Sequence, residues 1–312
     1  MSYRWVQPID CREGLKKLED CSTHLVLTDP PYFIDGMGSD WDHSSLKKRA
    51  EKAGVVGSLP VGMKFDVKQG IQLQKFMKPI CQELLRVTRP GGFFLCFTQN
   101  RLVHRMALSM EESGFEIRDV LLWQYQGQPK AFKQDHFVER NYIKGRISKV
   151  ERDRLIDKLD GRKTPQLKPQ GEMIVLAQKP KEGTFVHNWD IYETGLIDVS
   201  QPYLTPEKFP GTVIPVAKPT KKYNHMTPKP IDLLRHLIRI FSIKGGGYLI
   251  LLQVLEVLEL LLVLKKETLS DLKTTLRPPS WQILELKGVW YERCSSHTRR
   301  FAKSLGRIEA SS

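Results

Sequence analysis

Three absences narrow this chain first. Its five cysteines (Cys11, Cys21, Cys81, Cys96 and Cys294) never fall in a Cys-x-x-Cys spacing, so neither a metal site nor a disulfide framework is expected. Reduced thiols and a cytoplasmic setting are the simplest expectation. No polar-free stretch approaches the ~20 residues of a membrane-spanning helix, so no membrane partner is expected. The opening residues Met1-Ser2-Tyr3-Arg4-Trp5 carry no apolar signal core. Acid is in deficit: 49 Lys and Arg stand against 35 Asp and Glu, a formal charge of +14. Such a surface attracts polyanions through counterion release, whether nucleic acid or an anionic membrane, and motifs must choose between them.

A length of 312 residues suits one or two domains, and 40% hydrophobic with 27% charged residues suits a globular protein with a real core. Residues 1–123 alternate strand and helix patterns: a buried strand His24–Thr28, a helix over 71–87, a strand Phe93–Phe97, a helix over 101–113 and a strand Phe115–Trp123. This alternation implies a parallel α/β sheet. In the helix over 71–87, Ile71, Phe76, Ile80, Leu84 and Leu85 fall near one face. Residues 124–170 are polar and basic, with Lys144, Arg146, Lys149, Arg152, Arg154 and Lys158 laced with Glu151, Asp153 and Asp157. They read equally as a solvated helix face or as a surface tracking phosphates. A strand pattern returns at 172–177, residues 181–224 look irregular, and 230–241 form an amphipathic helix opened by Pro230.

The most informative residues are Asp29-Pro30-Pro31-Tyr32, at the end of the His24–Thr28 strand. Each proline fixes its own φ, removes a donor, and pushes the residue before it to extended geometry. The result is a stiff bend whose carbonyls can point into a cleft, with an acid before it and a flat ring after it. That arrangement can hold a planar group bearing an amino substituent.

Here the sequence resembles the DNA methyltransferases that alkylate exocyclic amino groups, adenine-N6 or cytosine-N4, whose signature is (Asp/Asn/Ser)-Pro-Pro-(Tyr/Phe). Asp10-Cys11-Arg12-Glu13-Gly14-Leu15 with Leu18 resembles their helical lead-in, Trp41-Asp42 follows the loop, and Arg89-Pro90-Gly91-Gly92-Phe93-Phe94 resembles the next strand entry. His225-Met226-Thr227-Pro228-Lys229-Pro230 resembles the family's His-Pro-Thr-x-Lys-Pro, with Met226 and Pro228 as departures. The likeness covers about residues 3–244 and fails beyond.

The resemblance implies a Rossmann-like α/β fold with an inserted target-recognition region, S-adenosylmethionine as cofactor, and double-stranded DNA as partner. A cognate restriction endonuclease would be a functional partner. Asp29, Pro30, Pro31 and Tyr32 would be catalytic: the Asp29 side chain and Pro30 carbonyl pull on the amino group, and Tyr32 stacks on a base flipped from the duplex. Asp10, Cys11, His225, Thr227 and Lys229 would border the cofactor. Phe33 and Trp41 are candidates for the base pocket. Transfer would be direct, with no catalytic cysteine and no metal, and Cys96 would be a core residue. The motif order resembles the permuted class called beta, and Asp in the first motif position leans toward adenine-N6. The expected division is a catalytic half at 1–123, a recognition insert at 124–224 and a cofactor-side half at 225–312, disrupted after about 245.

That disruption is visible in the sequence. The family carries a glycine-rich loop, Asp-Pro-Phe-x-Gly-Ser-Gly, about ten residues beyond the position of Phe241. This chain instead reads Gly245-Gly246-Gly247-Tyr248-Leu249-Ile250-Leu251-Leu252-Gln253-Val254-Leu255. Codons allowed for Leu249–Leu255, read one base out of phase, can spell Asp-Pro-Phe-Ala-Gly-Ser-Gly, so a frame shift near 245–249 is the expectation. Taken at face value, the chain is a DNA-binding relative without a cofactor pocket. A methyltransferase acting on RNA or protein is a third alternative, less suited to a long basic insert.

Overall fold

The computed structural model describes residues 10–32, 67–200, 204, 209–219, 229–243, 246–254, 257–265, 272–277 and 281–286, with backbone alone beyond Leu249. The chain divides into two compact units, one of residues 1–123 with 172–312 and one of residues 124–171. The second is much shorter than the insert expected over 124–224.

The first unit is organised by a seven-stranded sheet. Its strands are β1 (Thr23–Asp29), β2 (Thr88–Thr98), β3 (Glu116–Gln124), β4 (Gly171–Gln178), β5 (Val213–Pro215), β6 (Gly247–Val254) and β7 (Val257–Lys265). They lie in the order β5-β3-β4-β2-β1-β6-β7. The central trio β2-β1-β6 is parallel, while β4 and β7 run antiparallel to their inner neighbours β2 and β6. Every residue of β1 is buried, which is why it reads as an unbroken apolar run rather than an alternating one.

Helix α1 (Cys11–Leu15) is opened by Asp10, whose side chain accepts from the backbone of Arg12 at 2.9 Å. Helix α2 (Val67–Val87) begins earlier than its sequence pattern indicates, and its buried face is Leu73, Met77, Ile80, Leu84 and Val87. Ile71, expected on that face, is exposed. The set starting at Leu73 holds the three-and-four spacing of a helical stripe without interruption. These side chains pack with Cys11, Val26, Phe94, Cys96, Met106 and Val175 in one core. Helix α3 (Val103–Glu111) follows a 3-10 turn at Asn100–Leu102, and α7 (Ile231–Phe241) covers the sheet with Leu233, Leu237 and Ile238 buried.

Two departures from expectation have local causes. The strand expected at Phe93 begins at Thr88, because Pro90-Gly91-Gly92 lies in a register break rather than outside the strand. Thr23 pairs with Thr88, whereas Leu25 pairs with Phe93. The irregular 181–224 segment contains helix α6 (Phe185–Tyr192), capped by the Thr184 side chain accepting from His187 N at 3.1 Å and closed by Glu193 at φ 54°.

The second unit carries helices α4 (Asp135–Ile143) and α5 (Lys149–Leu159). Ser148 and Glu151 open α5 in capping-box spacing, the Ser148 hydroxyl accepting from Glu151 N at 3.2 Å. No residue of α5 is buried, which suits both a solvated helix face and a surface that tracks phosphates. Arg152 ties the two helices together: its Nε lies 3.0 Å from Glu139, and its guanidinium sits 5.3 Å from the Tyr142 ring centre. A separate two-stranded ribbon pairs β8 (Leu272–Arg277) with β9 (Trp281–Leu286).

Candidate active site

The chain leaves β1 for β2 on one side and returns as β6 on the other, so the carboxyl end of β1 is a topological switch point. Open α/β sheets place their ligands in the crevice outside such an end. Asp29 is the last residue of β1, paired across to Leu252 of β6. Because β4 runs antiparallel, its first residues arrive at the same edge, with Met173 opposite Thr98. Glu172 is therefore delivered beside Asp29. Lys229 enters from the residue just before Pro230, which precedes α7.

These elements build a buried polar cluster. The Lys229 side chain is 3% exposed, and its Nζ lies 2.9 Å from Asp29 Oδ2 and 3.2 Å from Glu172 Oε2. It also donates to the Tyr32 hydroxyl at 3.1 Å, which in turn donates to Glu172 Oε2 at 2.9 Å. The three N–H groups of the ammonium are thereby spent. Its remaining surroundings are aromatic, with the ring centres of Phe97, Tyr32 and Trp123 at 5.1, 5.3 and 5.9 Å. Gln99 donates to the Tyr32 carbonyl and fixes the bend.

Burial alone would lower the Lys229 pKa, but Asp29 and Glu172 outweigh it and hold the ammonium above its ordinary range. Tyr32 is pushed well above the usual phenol value, first by burial and then by the same two carboxylates, so it stays a neutral donor. Asp29 Oδ1 is the exception in this network: it is buried and has no hydrogen-bond partner among the described residues. Leaving a buried acceptor unmade costs on the order of 1–3 kcal/mol, and such an atom marks a place for a donor. Thr28 Oγ1 is likewise buried and without a partner among the described residues.

Among the remaining sequence candidates, Pro30 is buried next to Asp29 and Pro31 is half-buried. Asp10 caps α1 and ion-pairs with Arg12, whose hydrogen bond holds its carboxyl below the usual range. Cys11 belongs to the core, its thiol pushed up to about 12 by burial. Burial also keeps Cys96 a neutral thiol. The structure brings Lys229 to Asp29 and Tyr32, although the motif had suggested the cofactor side. His225, Thr227, Phe33 and Trp41 lie outside the described residues. Glu172 went unrecognised in the sequence, where its signal is a single acid opening an otherwise apolar strand. Among the described residues no cluster of His, Cys, Asp and Glu is fit to hold a metal, and no helix is long and apolar enough to cross a membrane.

Comparison with known proteins agrees with this picture. A DNA methylase family profile, covering N6 and N4 methylases, matches residues 23–249, so the chain belongs to that family. Type II methyltransferase M.HindIII of Haemophilus influenzae is 27% identical over 257 residues, 73% of this chain and 77% of that protein. Among solved structures, the cytosine-N4-specific PvuII DNA methyltransferase is 12% identical with a TM-score of 0.44, covering 78% of this chain and 71% of that one. A DNA modification methylase of Thermus thermophilus, complexed with S-adenosyl-L-methionine, is 15% identical with a TM-score of 0.41, covering 77% and 75%.

Proposed function

We propose that the Asp29 site takes a base flipped from double-stranded DNA by its exocyclic amino group, with adenine-N6 favoured over cytosine-N4. The observation that carries this is the buried, unpartnered Oδ1 of Asp29 beside Pro30 at the switch point. An exocyclic amino nitrogen is a poor nucleophile because its lone pair is conjugated with the ring. Two acceptors drawing on its two N–H bonds favour a more tetrahedral nitrogen with the lone pair released. Asp29 Oδ1 supplies one acceptor and the Pro30 carbonyl the other. Tyr32, anchored by its hydroxyl to Glu172 and Lys229, offers a ring held in place for the base to stack on. Reaching these groups requires the base to leave the duplex.

The unit of residues 124–171 carries twelve Lys and Arg against six Asp and Glu, and is proposed to bind the DNA backbone. Restriction–modification, with a partner endonuclease, is the matching biological setting.

S-adenosylmethionine is the methyl donor of this family, and the chain past β6 lacks the glycine-rich loop expected to hold it. Cofactor loops at a switch point use glycine so that backbone can approach the ligand closely. Here β6 runs on beyond the level of Asp29 and pairs antiparallel with β7, Val254 opposite Val257. Residues 248–265 contain no glycine, serine, threonine, asparagine or aspartate. This strand pair favours a second reading, a DNA-binding relative that captures the base without transferring a methyl group.

Labelled methyl transfer into DNA, RNA and protein, run beside calorimetric titration with S-adenosylmethionine, separates the readings. Methyl groups on DNA amino nitrogens support the enzyme. Base capture without cofactor binding supports the second reading, and absence of base capture removes both.

A further inference from the structure

We propose that Glu172 and Lys229 are a positioning pair that keeps Asp29 a pure hydrogen-bond acceptor, so that the pocket selects an amino-bearing base over a keto-bearing one. This rests on the reading of Asp29 as the amino-group acceptor.

The charge count gives the reason. Asp29 and Glu172 are two carboxylates in one buried site, and Lys229 is the cation between them. Two carboxylates sharing a site without a counter-charge tend to hold a proton between them. A protonated carboxyl carries an O–H donor. Lys229 removes that need, and by binding Oδ2 it leaves Oδ1 as the free atom. An ionised oxygen there accepts from the amino group of adenine or cytosine and repels the keto oxygen of guanine, thymine or hypoxanthine. Glu172 also holds Lys229 and accepts from the Tyr32 hydroxyl, so neither Lys229 nor Tyr32 is left to compete for Asp29 Oδ1.

The groups facing the cluster are accounted for element by element. Tyr32 follows β1, and Cys96 of β2 lies within the field of Asp29; both are neutral because burial raises their pKa. Phe97 of β2 and Trp123 of β3 contribute rings without titratable charge. Among these described residues, Lys229 is the sole cation of the cluster.

The test uses the full chain and fluorescein-labelled duplexes of the sequence it selects from a random pool. Each duplex carries at the target position an unpaired adenine or an unpaired hypoxanthine, which differ at the exocyclic group. Binding is read by anisotropy between pH 6 and pH 8.5. For K229M, adenine capture at pH 6 should fall about tenfold or more and its preference over hypoxanthine should shrink, both recovering at pH 8.5, since one pKa unit is a factor of ten. The double variant K229M/E172Q, which has a single carboxylate again, should regain low-pH capture.

A merely structural lysine would lower capture equally at every pH and would not be rescued by E172Q, and that result overturns the proposal. So does K229M with native discrimination. Should circular dichroism show K229M unfolded, E172Q alone decides: with Lys229 still 2.9 Å from Asp29 and one carboxylate removed, adenine preference should persist from pH 6 to pH 8.5, and its loss at pH 6 overturns the pairing. If the native chain prefers neither base, the amino-acceptor reading itself has failed.

Discussion

Replacing Asp29 by asparagine changes almost no volume, and it should weaken what distinguishes an amino-bearing base in the pocket. The aspartate has two equivalent oxygens, one 2.9 Å from Lys229 Nζ and one without a partner. The carboxamide has one oxygen and one NH2. Turning the NH2 toward Lys229 would set donor against donor, so the oxygen faces the ammonium and the NH2 takes the place of Oδ1. An incoming amino group then meets a donor instead of an acceptor. The loss is one charge-assisted hydrogen bond, about 1.5–3 kcal/mol, or roughly ten- to two-hundred-fold in adenine capture at 1.4 kcal/mol per tenfold. A keto oxygen at the same place gains a donor. Lys229 keeps Glu172 and Tyr32, so the fold should lose only about 1 kcal/mol and melting should shift by a few degrees at most. Anisotropy with the unpaired adenine and hypoxanthine duplexes should show D29N losing most of its preference for adenine, with the Pro30 carbonyl still favouring an amino group. A folded D29N with native adenine affinity would refute the assignment of Oδ1.

Gly91 has φ 75° and lies against Asn188 and Gly195, and Asn188 is itself tied to Pro90 O at 3.1 Å and Thr194 O at 2.9 Å. Gly91→Ala should therefore cost about 2–4 kcal/mol through backbone strain and overpacking, read as a lower denaturation midpoint; a change under about 0.5 kcal/mol would show that the turn is not constraining. Lys144 and Arg146 make no ion pair among the described residues, so Lys144→Ala and Arg146→Ala should each reduce the salt slope of DNA affinity by about one. Arg152→Ala should instead loosen α4 from α5 with little change in slope, and native slopes in the Lys144 and Arg146 variants would exclude those side chains from the DNA surface. The gene's nucleotide sequence, read one base out of phase from about codon 249, should continue as Asp-Pro-Phe-Ala-Gly-Ser-Gly; a stop codon before the motif completes would end the frame-shift account.

Local chemistry was legible in the sequence and strand register was not. The stiff acid–proline–proline–tyrosine bend, helices α2, α3 and α7 and the central buried strand all follow from short-range rules, and the structure places them within a few residues of expectation. Helix α6 was missed because residues 181–224 look irregular in sequence, although Thr184 with His187 carried the cap geometry. The role of Glu172 is a different matter. An acid opening a strand normally points to solvent. It is buried here because β4 runs antiparallel to β2 and so begins at the edge where β1 ends. No local pattern encodes that direction. Lys229 shows the same limit: its spacing identified a motif, but the return of α7 to the sheet decides that it meets Asp29.

The division of the site along the chain bears on what survives in this molecule. Asp29, Tyr32, Phe97, Trp123, Glu172 and Lys229 all lie upstream of residue 249, where the family match stops. Strand β6 still pairs with β1 through Leu252, so the edge that presents Asp29 remains supported from both sides. What changes is the chain beyond that edge, where the expected glycine-rich loop is replaced by an apolar β6–β7 pair. On the proposed reading, amino-group recognition and methyl-donor binding are separable in this chain. DNA and S-adenosylmethionine titrations of one sample should give base capture with adenine preference and no cofactor heat. Tight cofactor binding by this chain would mean that the β6–β7 segment builds a pocket without glycine, and the division would be wrong.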